Sequence, residues 1–160
     1  MVLAGPVENS PQSAVNVLFS GPGWEEVRDG TRRAPSAGGF PPIDETRWLV
    51  AYEGAGRRVS VDRTRLTALG NDVFRVWEKW EAEAPLQDSE GEWYDATLTR
   101  VDYDCRGLRM RMIEVTTYNG GRVIDTVEIA PARQEWDSAV PESIGERTMR
   151  AACPVLRARR

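Results

Sequence analysis

Two cysteines and a short run of alternating acids are the residues with chemistry to offer, and neither arrangement reads as catalytic. Cys105 directly follows residues 98–104 (LTRVDYD), and Cys153 lies near the carboxyl end of the one segment with a helical pattern. A thiol becomes a nucleophile when a base, a cation or a helix amino terminus lowers its pKa. Near a helix carboxyl end the dipole acts in the opposite sense. The chain has no histidine, which excludes Ser-His-Asp and Cys-His machinery and imidazole metal ligation. Asp102 and Asp104 share one strand face, where two carboxylates could divide acid-base work or hold a cation. The plainer reading is that alternating acids mark the water-facing side of that strand. Asp88, Glu90 and Glu92 lack the glycine and carboxylate spacing of a calcium hand. Gly120-Gly121 reads as a turn, because neither a helix start nor a lysine follows to cradle a phosphate. No catalytic residue, cofactor or metal is expected.

The cysteines support two other readings. A thiol at a strand end and another on a distant helix fit a single long-range disulfide, which persists only in an oxidising compartment. The plainer alternative is that each is a small apolar filler left reduced. Residues 1–5 are apolar but carry no basic flank, and Pro6 interrupts them before signal-peptide length. Either the chain is a mature form without its leader, or export is the wrong inference.

The 160 residues form one domain with an appendage, long enough to bury roughly 70% of the unfolded chain's surface. A net charge of −4 argues against binding nucleic-acid backbones, which takes a basic footprint. The basic tail, residues 157–160, contains Arg157, Arg159 and Arg160 and reads as a solvated end. No stretch approaches the roughly 20 apolar residues of a membrane span.

Residues 1–45 form an arm interrupted by Pro6, Pro11, Pro22, Pro35, Pro41 and Pro42 and by several glycines, a composition that buries little by itself. Its apolar anchors are residues 14–19 (AVNVLF) and 24–27. Beyond Arg47 the pattern alternates with period two and is broken by tight turns, as in half-buried antiparallel strands. Residues 48–52 and 57–61 make a hairpin, 66–70 a short turn and 72–81 a long strand. Strands at 98–104, 108–118 and 122–129 follow, the last two joined by Asn119-Gly120-Gly121, which accepts the positive φ of a primed turn. Ser143 and Glu146 fit a capping box. The helix that follows has Ile144, Thr148, Ala151, Ala152 and Val155 near one stripe, Met149 and Cys153 beside it, and Pro154 as its end.

Six tryptophans stand out. Core burial is the usual fate of each, but Trp77 and Trp80 point to opposite faces of one strand and cannot both lie under one helix. One face therefore needs another cover: the arm, a second subunit or a ligand. Val15, Val17, Leu18, Phe19, Trp24 and Trp77 are the candidate partner-contact residues.

The ordered set WLVAY at 48–52, Val61-Asp62, VFRVW at 73–77, Asp104-Cys105, Thr117-Tyr118 before a glycine turn, Trp136, Pro141-Glu142-Ser143-Ile144-Gly145 and the helical Cys153 resembles surface-adhesin protein E-like domains over residues 46–156. The resemblance implies an α+β fold: a curved antiparallel sheet of about six strands, with a C-terminal helix tied to its concave face by a Cys105–Cys153 disulfide. It also implies export to the bacterial periplasm or cell surface, in a family whose best-known member binds host matrix proteins and plasminogen. The chain departs from the family pattern in its arm and in an acidic insert at 81–92. The resulting expectation is a non-catalytic, adhesin-like, protein-binding module of the envelope, with an unidentified protein partner, a further copy of itself or a larger envelope assembly to bind. A structural subunit held in an envelope or membrane complex by its extended arm is the alternative, and a histidine-free enzyme using Asp102 or Asp104 is the third reading.

Overall fold

The structure is a computed structural model that describes residues 40–160. The contact candidates Val15, Val17, Leu18, Phe19 and Trp24 lie outside the described residues. Strands β1 (Trp48–Gly54), β2 (Arg57–Asp62), β4 (Val73–Gln87), β5 (Trp93–Asp104), β6 (Arg109–Asn119) and β7 (Arg122–Glu128) pair antiparallel in the order β1-β2-β4-β5-β6-β7. Two short strands join the flanks: β3 (Thr67–Gly70) pairs with β4, and β8 (Asp137–Ser138) with β6. Alternation decides the two faces. Phe74, Val76 and Trp80 of β4 are buried with Val59 and Val61 of β2 and Val101 and Tyr103 of β5, whereas Val73, Arg75, Trp77 and Lys79 on the other face are half-buried.

The expected turn at 66–70 is instead strand β3. Gly70, Asn71 and Asp72 all adopt positive φ, which reverses the chain tightly enough to lay Thr67 and Ala68 beside Arg75 and Phe74. The acidic insert is likewise a hairpin extension. β4 continues through Pro85 to pair Leu86 with Tyr94 and Gln87 with Trp93, after an irregularity between Glu81 and Leu86. An interrupted ladder is where a strand tolerates a residue without an N–H. Asp88 Oδ1 closes the turn by accepting from the Glu90 and Glu92 N–H groups at 2.8 and 2.9 Å.

Helix α1 (Ile144–Ala158) packs on β1 and β2. Ser143 Oγ accepts from Glu146 N–H at 3.2 Å, as the capping pattern predicts, and the Glu146 carboxylate accepts from Glu142 N–H rather than closing back on Ser143. Two sequence expectations are corrected. Pro154 does not end the helix, which runs one further turn to Ala158. The buried stripe is Gly145, Thr148, Met149, Ala152, Cys153 and Leu156, while Ala151 is exposed. That face carries the larger apolar side chains, Met149 and Leu156, together with Cys153, which is bonded to Cys105 with Cα atoms 5.7 Å apart. Arg157 adds a second tie at the same end, donating to both oxygens of Asp72.

Candidate functional site

The second face of the sheet, opposite the helix, carries a lattice of charges and tryptophans. Register places Arg75, Asp102 and Arg111 side by side on β4, β5 and β6. The Asp102 side chain is 0% exposed; Arg75 donates to both its oxygens at 2.7 and 3.0 Å, and Arg111 donates to Oδ2 at 2.9 Å. Asp104 accepts from Arg109 Nε at 2.7 Å and from the Gly107 and Arg106 N–H groups at 3.0 and 3.1 Å. Burial raises the Asp104 pKa, but the Gly107 N–H and the Arg109 guanidinium outweigh it and hold the carboxyl below its usual range. This corrects both sequence readings of the pair. Neither acid is a water-facing edge, and they are not joined as an acid-base couple, because each is already saturated by arginine. Among the described residues no group of three or more His, Cys, Asp or Glu could hold a metal ion.

Guanidinium groups cover the tryptophans of this face. Arg111 and Arg109 lie 4.6 and 5.0 Å from the Trp136 ring, and Arg100 lies 5.8 Å from Trp77. Trp48 has Arg47 at 4.9 Å and Lys79 at 5.9 Å. Of the expected contact residues, Trp77 alone is described, half-buried on this face. Trp80 goes to the core, as their opposite parity requires.

Beside Trp48 the same face sinks into a groove of about 670 Å³. Its walls are Phe40, Trp48 and Tyr118, and Ala82, Ala96, Gly120 and Gly121 add little bulk between them. Register orders its charges along the strands: Arg47 and Lys79 lie toward the Trp48 end, Glu83 and Asp95 toward the other. Phe40 and Pro41 are pinned at its β2 side, where Arg58 Nη2 donates to the Pro41 carbonyl at 2.7 Å and the guanidinium sits 5.0 Å from the Phe40 ring. Arg58 is itself buried against Glu81, Nε to Oε2 at 2.7 Å.

One ionisable pair was missed in the sequence. Glu78 is buried in the core and accepts a hydrogen bond from the Tyr103 hydroxyl. Burial pushes its carboxyl up to about 7, the Tyr103 hydroxyl acting in the opposite sense. The signal was present: the alternation that puts Phe74, Val76 and Trp80 on one face puts Glu78 there too. A closed pocket of apolar strand residues with one acid and one phenol gives a substrate no access, so this pair bears on stability.

The chain is thus a disulfide-stapled antiparallel sheet with one docked helix and an arginine-tryptophan face. The model of the surface-adhesin protein E family matches residues 48–154, and the chain belongs to that family. Among solved structures it is similar to crystal structures of protein E from Haemophilus influenzae. The non-typeable strain's protein aligns with a TM-score of 0.51 at 8% identity, covering 79% of this chain and 85% of that one. A second crystal form aligns at 0.48 and 11%, covering 80% and 96%. At 8% identity the first of these likenesses shows the fold alone. No curated protein matches the chain.

Proposed function

We propose that this protein is a non-catalytic, exported, protein-binding module of the bacterial envelope. The observation that carries the reading is the second sheet face. Trp48, Trp77 and Trp136 are half-buried there beneath guanidinium or ammonium groups, a composition enriched in protein contacts, while Asp102 and Glu114 of the same sheet are paired with arginines within the chain. The disulfide fits an oxidising compartment, and no helix among the described residues is long and apolar enough to cross a membrane. The full chain, immobilised and exposed to envelope and host extracellular proteins, should retain a partner saturably and reversibly. Trp77→Ala should weaken that complex at least about tenfold, or 1.4 kcal/mol, at an unchanged melting temperature. Equal retention by the variant, or no saturable partner, refutes the reading.

The edge at β7 favours a second reading, a structural subunit. Among the described residues β7 pairs only with β6, and Arg122, Val123, Asp125, Thr126 and Glu128 are exposed. An open edge accepts an added strand such as residues 14–19 of a neighbouring copy's arm. Co-purification with an envelope complex in fixed stoichiometry, rather than reversible capture, distinguishes this reading from the first.

A further inference from the structure

We propose that the groove beside Trp48 is the seat of the chain's own arm, with residues 24–33 lying in it and Trp24 as the anchor between Trp48 and Tyr118. Three observations select this occupant. The first is attachment. Phe40 and Pro41 form part of the groove wall and are clamped there by Arg58, so the preceding 39 residues enter the molecule at the groove's lip. Arg33 is seven residues from Phe40, a reach of up to about 23 Å. From β2, which carries Arg58, to β6, which carries Tyr118, is three strand spacings, or about 14 Å. The tether is therefore long enough to cross and short enough to hold its segment at an effective concentration of about millimolar, which a second copy does not match at ordinary protein concentration.

Charge is the second observation. Toward one end of the groove lie Arg47 and Lys79, already paired with Asp62 at 2.7 Å and with Glu81 at 3.3 Å, and toward the other lie Glu83 and Asp95, for which no ion pair is formed among the described residues. The segment Trp24-Glu25-Glu26-Val27-Arg28-Asp29-Gly30-Thr31-Arg32-Arg33 is bipolar, with Glu25 and Glu26 at its start and Arg32 and Arg33 at its end. Laid with Arg32 and Arg33 at the Glu83–Asp95 end, it meets opposite charge there, and the reverse direction would bring Glu25 and Glu26 against those acids. Shape is the third. Small residues lie between three aromatic walls, and about 670 Å³ is of the size that takes several side chains. The arm then covers part of the tryptophan face, so its release would enlarge the surface offered to a partner. The proposal stands whether or not the partner reading above is correct.

Lys79 lines this groove and is the only lysine of the chain, which makes a direct test possible. The full-length protein is labelled with an amine-reactive diazirine, illuminated as an equal mixture of light and heavy-isotope chains, and mapped by peptide mass spectrometry. The amino-terminal label is separated by its own peptide. Cross-links from Lys79 should fall on residues 24–33 of the same chain. Trp24→Ser, which leaves every described residue unchanged, should reduce their yield at least about fivefold, and Ala96→Trp should do the same by filling the groove. Links joining light to heavy chains would give the groove to a second copy. Links confined to sheet neighbours, capture only of an added envelope protein, or an undiminished yield in Trp24→Ser would each overturn the proposal.

Discussion

Glu78 should make this protein lose stability as the pH rises through neutrality. Its carboxyl is buried, with Tyr103 donating its hydroxyl to it and its second oxygen lacking a hydrogen-bond partner among the described residues. Burial lifts the folded-state value from 4.5 to about 7. The folded protein therefore holds this proton more tightly than the unfolded chain. The stabilisation is complete below about 4.5 and is lost as the pH passes through about 7. A gap of about 2.5 pH units at 1.36 kcal/mol each is roughly 3 kcal/mol, a large share of the net stability of a small domain. Glu78→Gln keeps an acceptor for the Tyr103 hydroxyl and removes the ionisation. Urea denaturation of both proteins from pH 5 to pH 9 should show wild-type stability falling by about that amount while the variant stays nearly level. Asp62, Asp72 and Asp104 titrate below their usual range, so their stabilisation is lost only in acid and does not mask this window. Parallel pH profiles for the two proteins would show that water or relaxation reaches Glu78 and that the burial argument is wrong.

Three further outcomes follow from the fold. The Cys105–Cys153 bond closes a separation of 48 residues, so Cys153→Ala should lower stability by about 4 kcal/mol on the loop-entropy estimate, measured by denaturant midpoint; a change under about 1 kcal/mol would mean that helix packing alone holds α1. Ser143→Ala should cost about 1 kcal/mol through the lost cap to Glu146 N–H, and an unchanged midpoint would remove the cap from the account. Asp102→Asn leaves Arg75 and Arg111 facing a neutral amide, and because these guanidiniums are 36% and 29% exposed, water offsets part of the loss; a calorimetric destabilisation of about 2 kcal/mol is expected, whereas a neutral result would show the triad to be only a surface network.

Much of the architecture was legible because period-two alternation and turn chemistry are local properties. Residues 48–52 and 57–61, the Asn119-Gly120-Gly121 turn and the Ser143 cap each stand where their residues place them. Strand lengths were less legible. β4 crosses Pro85 and an acidic stretch because a partner strand with Tyr94 and Trp93 lies beside it, and a short sequence window does not contain that partner.

By itself the sequence determined which residues share a face: Phe74, Val76, Glu78 and Trp80 on one side of β4, Arg75, Trp77 and Lys79 on the other. It also excluded imidazole chemistry, since no histidine is present. Only the tertiary structure decided what each face meets. Asp102 changed from a water-facing acid to a buried one because arginines from two neighbouring strands reach it across the sheet. The helix buries Met149, Cys153 and Leu156 because the sheet and a cysteine 48 positions away lie against that face. The groove exists because Trp48, Ala96, Tyr118 and Phe40, from four separate segments, come together. Periodicity sets direction along one strand, whereas burial and pairing depend on contacts between residues tens of positions apart, which the order of residues does not record.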